Sequence, residues 1–207
     1  MTDRPILFSA PMVRALLAGT KTQTRRILKP KPEGQVWRYG WDKNGGATFS
    51  AGDELISGKI PIWAGDRLWV RETWQGLSFG DYLPTKSSQC EVRYAATDPC
   101  ADLDVEARGY PWRPSIFMPR FASRLTLTVT DVRVERLQDI SEADALAEGI
   151  DRIQFPERGD WGWPQRKYGE LWDSINGPGA WNSNPWVAAY SFEVHHSNID
   201  QMAKEAA

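Results

Sequence analysis

The chain has 207 residues, with 25 Lys and Arg against 27 Asp and Glu and a formal net charge of −2 at pH 7. This length predicts one hydrophobic core with room for an insertion, and the charge balance is not that of a protein that coats nucleic acid non-specifically. A nucleotide or nucleic-acid ligand would therefore need a local group of binding residues.

The sequence also predicts neither a membrane span nor a metal site. Asp3 and Arg4 are followed only by the short apolar run Pro5–Phe8, which fits neither a signal peptide nor a transmembrane helix. Cys90 and Cys100 have no metal-ligand spacing. We expect a cytoplasmic protein without a metal or another cofactor.

The first predicted element is a short helix that leads into a basic, hydroxyl-rich cluster. Ser9 suits an N-cap, Pro11 fits the first turn, and Gly19 ends the helix. The cluster, Gly19–Arg26, contains one lysine, three threonines and two arginines. Because the carboxyl end of a helix dipole is negative, an anion here would be bound by side chains. The pattern is typical of either a ligand site or a solvated strand edge.

The middle of the chain places one clear strand between two irregular segments. Residues 29–64 and about 76–112 are predicted to be insertions in a single domain. Between them, Arg67–Trp74 alternates apolar and charged residues, which predicts a strand. Arg71 and Glu72 are consecutive, so one faces inward unless the strand ends or bulges there. They either flank a pocket or form a surface ion pair.

The C-terminal half is predicted to contain two strands, two helices and a polar tail. Leu125–Val134 shifts its apolar parity near Asp131, which indicates a long bent strand of the kind that a small barrel needs. The remaining predicted elements are a helix from Ser141 to Glu148, a helix through Tyr168–Ile175, a strand at Trp186–Val194 and a poorly ordered tail at 195–207. The order predicts an α+β domain around a small β-barrel flanked by short helices.

Glu148 is placed against a local rule. A carboxylate at a helix C-terminus faces the negative end of the dipole, which is unfavourable by ~0.3–1 kcal/mol. Residues that break such a rule are candidates for function, here as a general acid or base. The alternative is an exposed side chain in a frayed last turn.

Four motifs in order resemble the ASCH domain family. They are Gly19-x-Lys21-Thr22-x-Thr24-x-Arg26, the strand opened by Gly65-Asp66, the strand Leu125–Val134, and Ala147-Glu148-Gly149 at a helix end. The resemblance implies a single domain, 1–194, with a barrel similar to the PUA RNA-binding domain. Trp112–Arg120 is similar to the larger form of this family, often encoded by bacteriophages and prophages.

The resemblance implies an activity. Small ASCH enzymes are amidohydrolases that remove the acetyl group of N4-acetylcytidine, and their catalytic residues fall on Lys21, Thr24 and Glu148. In one mechanism a neutral Lys21 takes the proton of Thr24, whose hydroxyl attacks the amide, and Glu148 passes a proton to the leaving amine. In the other, Lys21 stays charged as the oxyanion donor and Glu148 activates a water.

This trio has one geometric requirement. On an ideal strand Lys21 and Thr24 point to opposite faces, so the chain must turn or bulge between Gly19 and Thr24 if both are to reach one pocket. We predict that Lys21, Thr24 and Glu148 converge within hydrogen-bond reach.

Further residues are predicted to bind the modified nucleoside or RNA. Arg26 would hold a phosphate or a base edge, Glu72 would hydrogen-bond a pyrimidine, and Trp74 would stack on it. The remaining predicted contacts are Thr22, Arg71 and Arg120. Two rival functions fit the same residues: a non-catalytic module that binds RNA or a modified base, and a nuclease that grips a backbone with the basic cluster.

Overall fold

The computed structural model describes most of the chain. Backbone and side chains are described for 2–28, 60–77, 90–151 and 163–202, and the backbone alone for 36–41, 47–51, 54–58 and 203–205. The chain divides into two compact units. The first unit comprises 1–20, 65–128 and 193–207, and the second comprises 21–64 and 129–192.

The described residues form ten strands and five α-helices. The strands are β1 (Asp3–Leu7), β2 (Gln23–Ile27), β3 (Val36–Trp41), β4 (Ala47–Ala51), β5 (Glu54–Gly58), β6 (Arg67–Arg71), β7 (Trp74–Leu77), β8 (Glu91–Tyr94), β9 (Thr126–Arg136) and β10 (Trp186–His195). The helices are α1 (Ala10–Leu17), α2 (Val105–Arg108), α3 (Glu142–Ala147), α4 (Trp163–Asn176) and α5 (Ile199–Glu205). Short 3₁₀ turns lie at Ser115–Phe117, Arg120–Ala122 and Leu137–Asp139.

The main sheet has five strands in the order β1-β6-β9-β10-β2. β1 runs parallel to β6, whereas β9 pairs antiparallel with β6, and β2 antiparallel with β10. β3, β4 and β5 form an antiparallel sheet of three strands, and β7 and β8 a sheet of two. The fold is mixed α and β with a core made mostly of sheet. Among the described strands no pairing joins β1 to β2, so closure into a barrel stays a prediction.

The first unit is built around buried residues of β6, β7 and the segment before β9. Leu68 and Val70 are buried and alternate with half-buried neighbours along β6, as the two-residue period of a strand requires. Trp74 packs with Met118 and Ala122 in a separate apolar cluster. These contacts fix the end of β6 and the start of β7.

The first helix matches its sequence signals. α1 begins after Ser9, which has N-cap backbone geometry but makes no side-chain cap hydrogen bond, and it buries Val13 and Leu16. Gly19 follows at φ +71°, a left-handed conformation that favours glycine. The helix therefore ends where Gly19 was predicted to end it.

The second unit packs α3 and α4 against β10. Its buried core is Leu137, Ile140, Ala145, Tyr168, Trp172 and Val187. α3 begins with a capping box, in which Ser141 and Asp144 each bond the backbone of the other. Glu148 is the C-cap of α3 and Gly149 follows at φ +89°, so the chain turns away directly after Glu148.

Two local ambiguities of the sequence are resolved. β6 ends at Arg71 and a bend at residues 72–73 precedes β7, so Arg71 and Glu72 do not share one regular strand. β9 is a single strand of 11 residues across the predicted parity shift. The helix predicted at Tyr168–Ile175 is α4, which begins earlier than expected, at Trp163.

The expectation of a poorly ordered tail was wrong for residues 195–205. β10 extends to His195, and α5 follows with Ile199 fully buried. The side-chain amide of Asn198 donates to three carbonyl oxygens, those of Arg120, Phe121 and Ser123. Ile199 and Asn198 thus anchor a segment whose composition is otherwise polar, together with the Arg120–Asp200 ion pair.

The two predicted insertions contain regular structure. Strands β3, β4 and β5 lie within 29–64, and the side chains of 29–59 lie outside the described residues. The second segment, 76–112, includes β8 and α2 and is more regular than predicted. In the ranges that the structure describes, no helix is both long and apolar enough to cross a membrane.

Candidate functional site

A buried lysine and a buried glutamate are joined at the start of β2. Lys21 Nζ donates to Glu148 Oε2 at 2.7 Å and to the Glu148 backbone oxygen at 2.9 Å. The backbones of these two residues form an isolated β-bridge, and Thr22 N–H donates to the Ala147 carbonyl at 2.8 Å. The side chain of Lys21 is 0% exposed and that of Glu148 is 3% exposed. The bridge therefore fixes the pair through both main chain and side chains.

The second carboxylate oxygen of Glu148 has different donors. Arg25 Nη1 donates to Oε1 at 3.1 Å, and the Tyr168 hydroxyl donates to the same atom at 3.3 Å. Burial, with the adjacent Glu148 charge, raises the pKa of Tyr168 well above its usual value, so its hydroxyl keeps its proton. Each oxygen of Glu148 thus has its own set of donors.

Arg25 is the centre of a wider buried network. Its Nε and Nη2 both donate to Glu135 Oε1, at 3.0 and 2.6 Å, and its Nη1 also donates to Gln23 Oε1 at 2.6 Å. Asp144 Oδ2 lies 3.5 Å from Nη2. Gln23 and Arg25 are two residues apart on β2 and so share a face. Arg25 links strand β9 to the end of helix α3.

Asp144 is a partly exposed member of this network. It accepts from Gln23 Nε2 at 3.1 Å and from Arg133 Nη2 at 2.8 Å, in addition to its capping-box bonds. Burial acts to raise the pKa of Asp144, but hydrogen bonds from Ser141, Arg133 and Gln23 outweigh it and lower the pKa to about 2. Asp144 is therefore ionised at all ordinary pH values.

The environment of Lys21 lowers its pKa. Burial is the largest cause, and the nearby charges of Arg26 and Arg25 act in the same direction, whereas Glu148 opposes them. A proton on Lys21 is therefore held less tightly than on a solvated lysine.

Thr24 does not join this pair. It is buried, and it lies opposite Tyr190 on the neighbouring strand β10. Because residues alternate along β2, the Thr24 side chain points away from the face that carries Gln23 and Arg25. None of the described hydrogen bonds links the Thr24 hydroxyl to Lys21 or Glu148. The structure thus brings together two members of the predicted trio.

The predicted binding residues fall in different units. Thr22 and Arg26 lie in the second unit with the Lys21–Glu148 pair. Thr22 is exposed, and Arg26 is half-buried. Burial lowers the pKa of Arg26, against the attraction of Glu148, Tyr168 and Tyr190. The other four predicted residues, Arg71, Glu72, Trp74 and Arg120, lie in the first unit.

Glu72 forms a closed ion pair. Both of its oxygens accept from one guanidinium, that of Arg124, at 2.9 Å each. The Arg124 guanidinium lies 4.0 Å from the centre of the Tyr94 ring, and its Nη1 donates to Thr97. Burial raises the pKa of Glu72, and Arg124 opposes that shift. The contacts that would bind a pyrimidine are already used within the protein.

Arg71, Trp74 and Arg120 are engaged in structural contacts. Arg71 donates to the carbonyls of Met118 and Ile116. The Trp74 side chain is fully buried, so a base could stack on it only if its apolar cluster opened. Arg120 pairs with two acidic residues, Asp3 at 2.6 Å and Asp200 at 2.7 Å.

Sequence reasoning missed most of the residues that surround the Lys21–Glu148 pair. They are Gln23, Arg25, Glu135, Asp144 and Tyr168, none of which was predicted to be a site residue. One usable signal was parity, because Lys21, Gln23 and Arg25 are spaced two apart. The acidic partners are more than 100 positions away, at separations of 110 and 123 residues from Arg25 to Glu135 and Glu148.

Neither a metal cluster nor a known relative identifies this site. The described ranges hold no group of three or more His, Cys, Asp or Glu residues placed to bind a metal ion. No protein-family model, curated protein or solved structure matches the chain.

Proposed function

We propose that the protein is an amidohydrolase of the ASCH type that acts on an N4-acylated cytidine or a related modified nucleoside, free or within RNA. The proposal includes closure of the main sheet into a PUA-like barrel and a cytoplasmic location. One observation carries it: a fully buried lysine amine contacts a carboxylate whose second oxygen is held by other donors. The site residues are Lys21, Glu148 and Thr24.

Burial of this pair argues for a role beyond stability. Removing an ammonium and a carboxylate from water costs several kcal/mol per ion, which a hydrophobic pair of similar volume avoids. Perturbed titratable groups of this kind cluster at functional sites. The 2.7 Å separation of Lys21 Nζ and Glu148 Oε2 also places an ammonium donor beside a carboxylate that can act as a base.

The contacts favour one of the two mechanisms. Arg25 and Tyr168 donate to Glu148 Oε1, while Oε2 accepts from Lys21. The charge and the hydrogen bond of Glu148 act to raise the pKa of Lys21 and so favour its charged form. Lys21 would then donate to the oxygen of the substrate amide, where negative charge develops, and Glu148 would act as the base.

The chemical step follows from these roles. Glu148 takes a proton from a water molecule, whose oxygen forms a bond to the acyl carbon. The tetrahedral intermediate breaks its C–N4 bond, and N4 receives the proton from Glu148. The products are a carboxylic acid and the free cytosine amine. Thr24 as a nucleophile would require β2 to rotate, because its hydroxyl lies on the other face.

The test is turnover of N4-acetylcytidine and other N4-acylcytosines. Lys21→Met and Glu148→Gln are expected to lower kcat/KM by about 10²–10⁴-fold. Matched exposed substitutions in the same unit, Lys167→Met and Glu170→Gln, should leave it unchanged. If water is the nucleophile, Thr24→Val costs less than about tenfold, whereas loss of a covalent nucleophile costs about 10³-fold or more.

The same experiment separates the rival functions. An RNA-binding module would turn over no acylcytosine and would bind RNA with an affinity that salt weakens. A nuclease would cleave an RNA or DNA strand, and Lys21→Met would abolish cleavage. Either result contradicts the proposed amidohydrolase.

A further inference from the structure

The first unit carries an exposed apolar turn that has no role in the proposed hydrolysis. Ile116 is 57% exposed and Phe117 is 65% exposed, the two highest values among the large apolar side chains that the structure describes. They are neighbours on the 3₁₀ turn Ser115–Phe117. Exposed apolar side chains that adjoin one another are a feature of binding surfaces.

The turn is held in place from several sides. Phe117 N–H donates to the Pro114 carbonyl, and Met118 N–H donates to that of Ser115, at 3.0 Å each. Met118 is fully buried beneath the turn, in the apolar cluster with Trp74. A turn fixed in this way loses little conformational entropy when a partner binds.

Arg71 is hydrogen-bonded to the same turn and brings a positive charge to it. Its guanidinium donates to the carbonyls of Ile116 and Met118. The sequence between Ala107 and Thr130 adds four arginines and contains neither Asp nor Glu. In the part of the chain that the structure describes, no carboxylate lies within 4.0 Å of Arg71, Arg108 or Arg113. Among the described residues, Arg71 and Arg113 therefore bring positive charge to the apolar pair without a carboxylate in contact.

The aromatic rings nearby distinguish between classes of partner. Arg71 lies 5.1 Å from the centre of the Trp69 ring, Arg108 lies 4.9 Å from Trp112, and Arg113 lies 6.0 Å from Trp74. The guanidiniums already use these ring faces, so bases of a nucleic acid could not stack on them without displacing the arginines. Only the Phe117 ring is left among these residues for stacking on a base, and its neighbour Ile116 is aliphatic. Apolar residues next to arginine and aromatic residues are instead typical of protein interfaces.

We propose that the turn Pro114–Pro119 docks an acidic segment of another protein. An apolar side chain of that segment would cover Ile116 and Phe117, and its carboxylates would meet Arg71 and Arg113. This interaction is separate from the proposed hydrolase activity and uses none of its site residues.

The test is selection of binders to the full-length protein from a random peptide display library. We expect enriched peptides that combine Asp or Glu with Phe, Leu or Trp. Their binding should weaken as salt increases, and should weaken by roughly tenfold or more in Phe117→Ser. Arg113→Gln should also weaken it. Ile175→Ser is the matched control, because Ile175 is 56% exposed but lies in the second unit.

Four outcomes overturn the proposal. They are the absence of enriched peptides, enriched peptides without acidic residues, peptides that bind Phe117→Ser as well as wild type, and binding of a 12-nucleotide oligo(U) or of a second copy that Phe117→Ser abolishes. Circular dichroism of Phe117→Ser confirms that it folds. Turnover of N4-acetylcytidine by Phe117→Ser should equal that of wild type, so the two proposals fail independently.

Discussion

The two units each bury a glutamate against an arginine, and the two glutamates share their hydrogen bonds differently. In the first unit both oxygens of Glu72 accept from the single guanidinium of Arg124. In the second unit Glu148 gives one oxygen to Lys21 and the other to Arg25 and Tyr168.

The difference separates a closed pair from a pair that can exchange a proton. An arginine is permanently charged, so the Glu72–Arg124 pair has no proton to give. In the proposed mechanism Lys21 keeps its proton as the oxyanion donor, and Glu148, whose oxygens are shared among several donors, takes a proton from water. Burial of a carboxylate alone would have ranked the two sites equally. The residue paired with each glutamate distinguishes the two sites, and we propose chemistry only at Glu148.

The largest effect is expected from removal of Arg25. Arg25→Met leaves three carboxylates, those of Glu135, Asp144 and Glu148, without their shared cation. We expect a loss of about 3–5 kcal/mol in the free energy of unfolding, measured by urea denaturation. Lys167→Met, which breaks an exposed pair with Glu170, is the control and should have a far smaller effect. Equal losses in the two variants would show that the network does not stabilise the second unit.

Removal of Arg124 should cost less. Arg124→Met leaves buried Glu72 without its partner, which costs about 1–3 kcal/mol of unfolding free energy. The loss is smaller than for Arg25 because a quarter of the Arg124 side chain is exposed and water can reach the site. Acylcytosine turnover by the folded variant should be unchanged. A large drop in kcat would indicate that Glu72 belongs to the reaction and would break the comparison.

The pH dependence of stability should report Asp144. Its pKa is lowered to about 2 in the folded protein from an ordinary value of 3.8, so its stabilising contribution is complete above pH 3.8 and is lost as pH falls through 2. The contribution is about 2 kcal/mol. Urea denaturation of wild type and Asp144→Asn should therefore differ by that amount at pH 5 and converge near pH 2. A difference that does not change with pH would contradict the assignment.

The smallest effect is expected at Gly169. A Cβ at this position would lie 3.0 Å from Cδ2 of Trp181, whose ring packs edge-on against Tyr168. Gly169→Ala should destabilise the protein by about 1 kcal/mol, because crowding exceeds the gain in helix propensity. In a Trp181→Leu background the same change should be neutral or stabilising. Additive losses would show that crowding against the Trp181 ring is not the cause.

The sequence predicted elements that depend on local signals. The helix start at Ser141, the helix end at Gly19 and the alternating residues of β6 were each confirmed. Each needs only its immediate neighbours in the chain. α5 was missed because its anchors, Asn198 and Ile199, are single residues in a polar segment.

The candidate site could not be predicted from local chemistry. Lys21 and Glu148 are 127 residues apart, and their pairing was expected only from the family resemblance. Arg25 was counted only as one of the cluster's two arginines, yet it binds both Glu135 and Glu148. Trp74 illustrates the converse limit, since composition does not tell which of eleven tryptophans is enclosed in a core.

The most direct test of the proposed hydrolase compares two substitutions of the same type, Glu148→Gln and Glu72→Gln, in release of acetate from N4-acetylcytidine. Wild type should release one acetate for each cytidine formed, and Glu72→Gln should do the same at a similar rate. Glu148→Gln should be slower by about 10²–10⁴-fold while still folded. No acetate release by wild type, or equal rates in the two variants, would contradict the assignment of the Lys21–Glu148 pair as the catalytic centre.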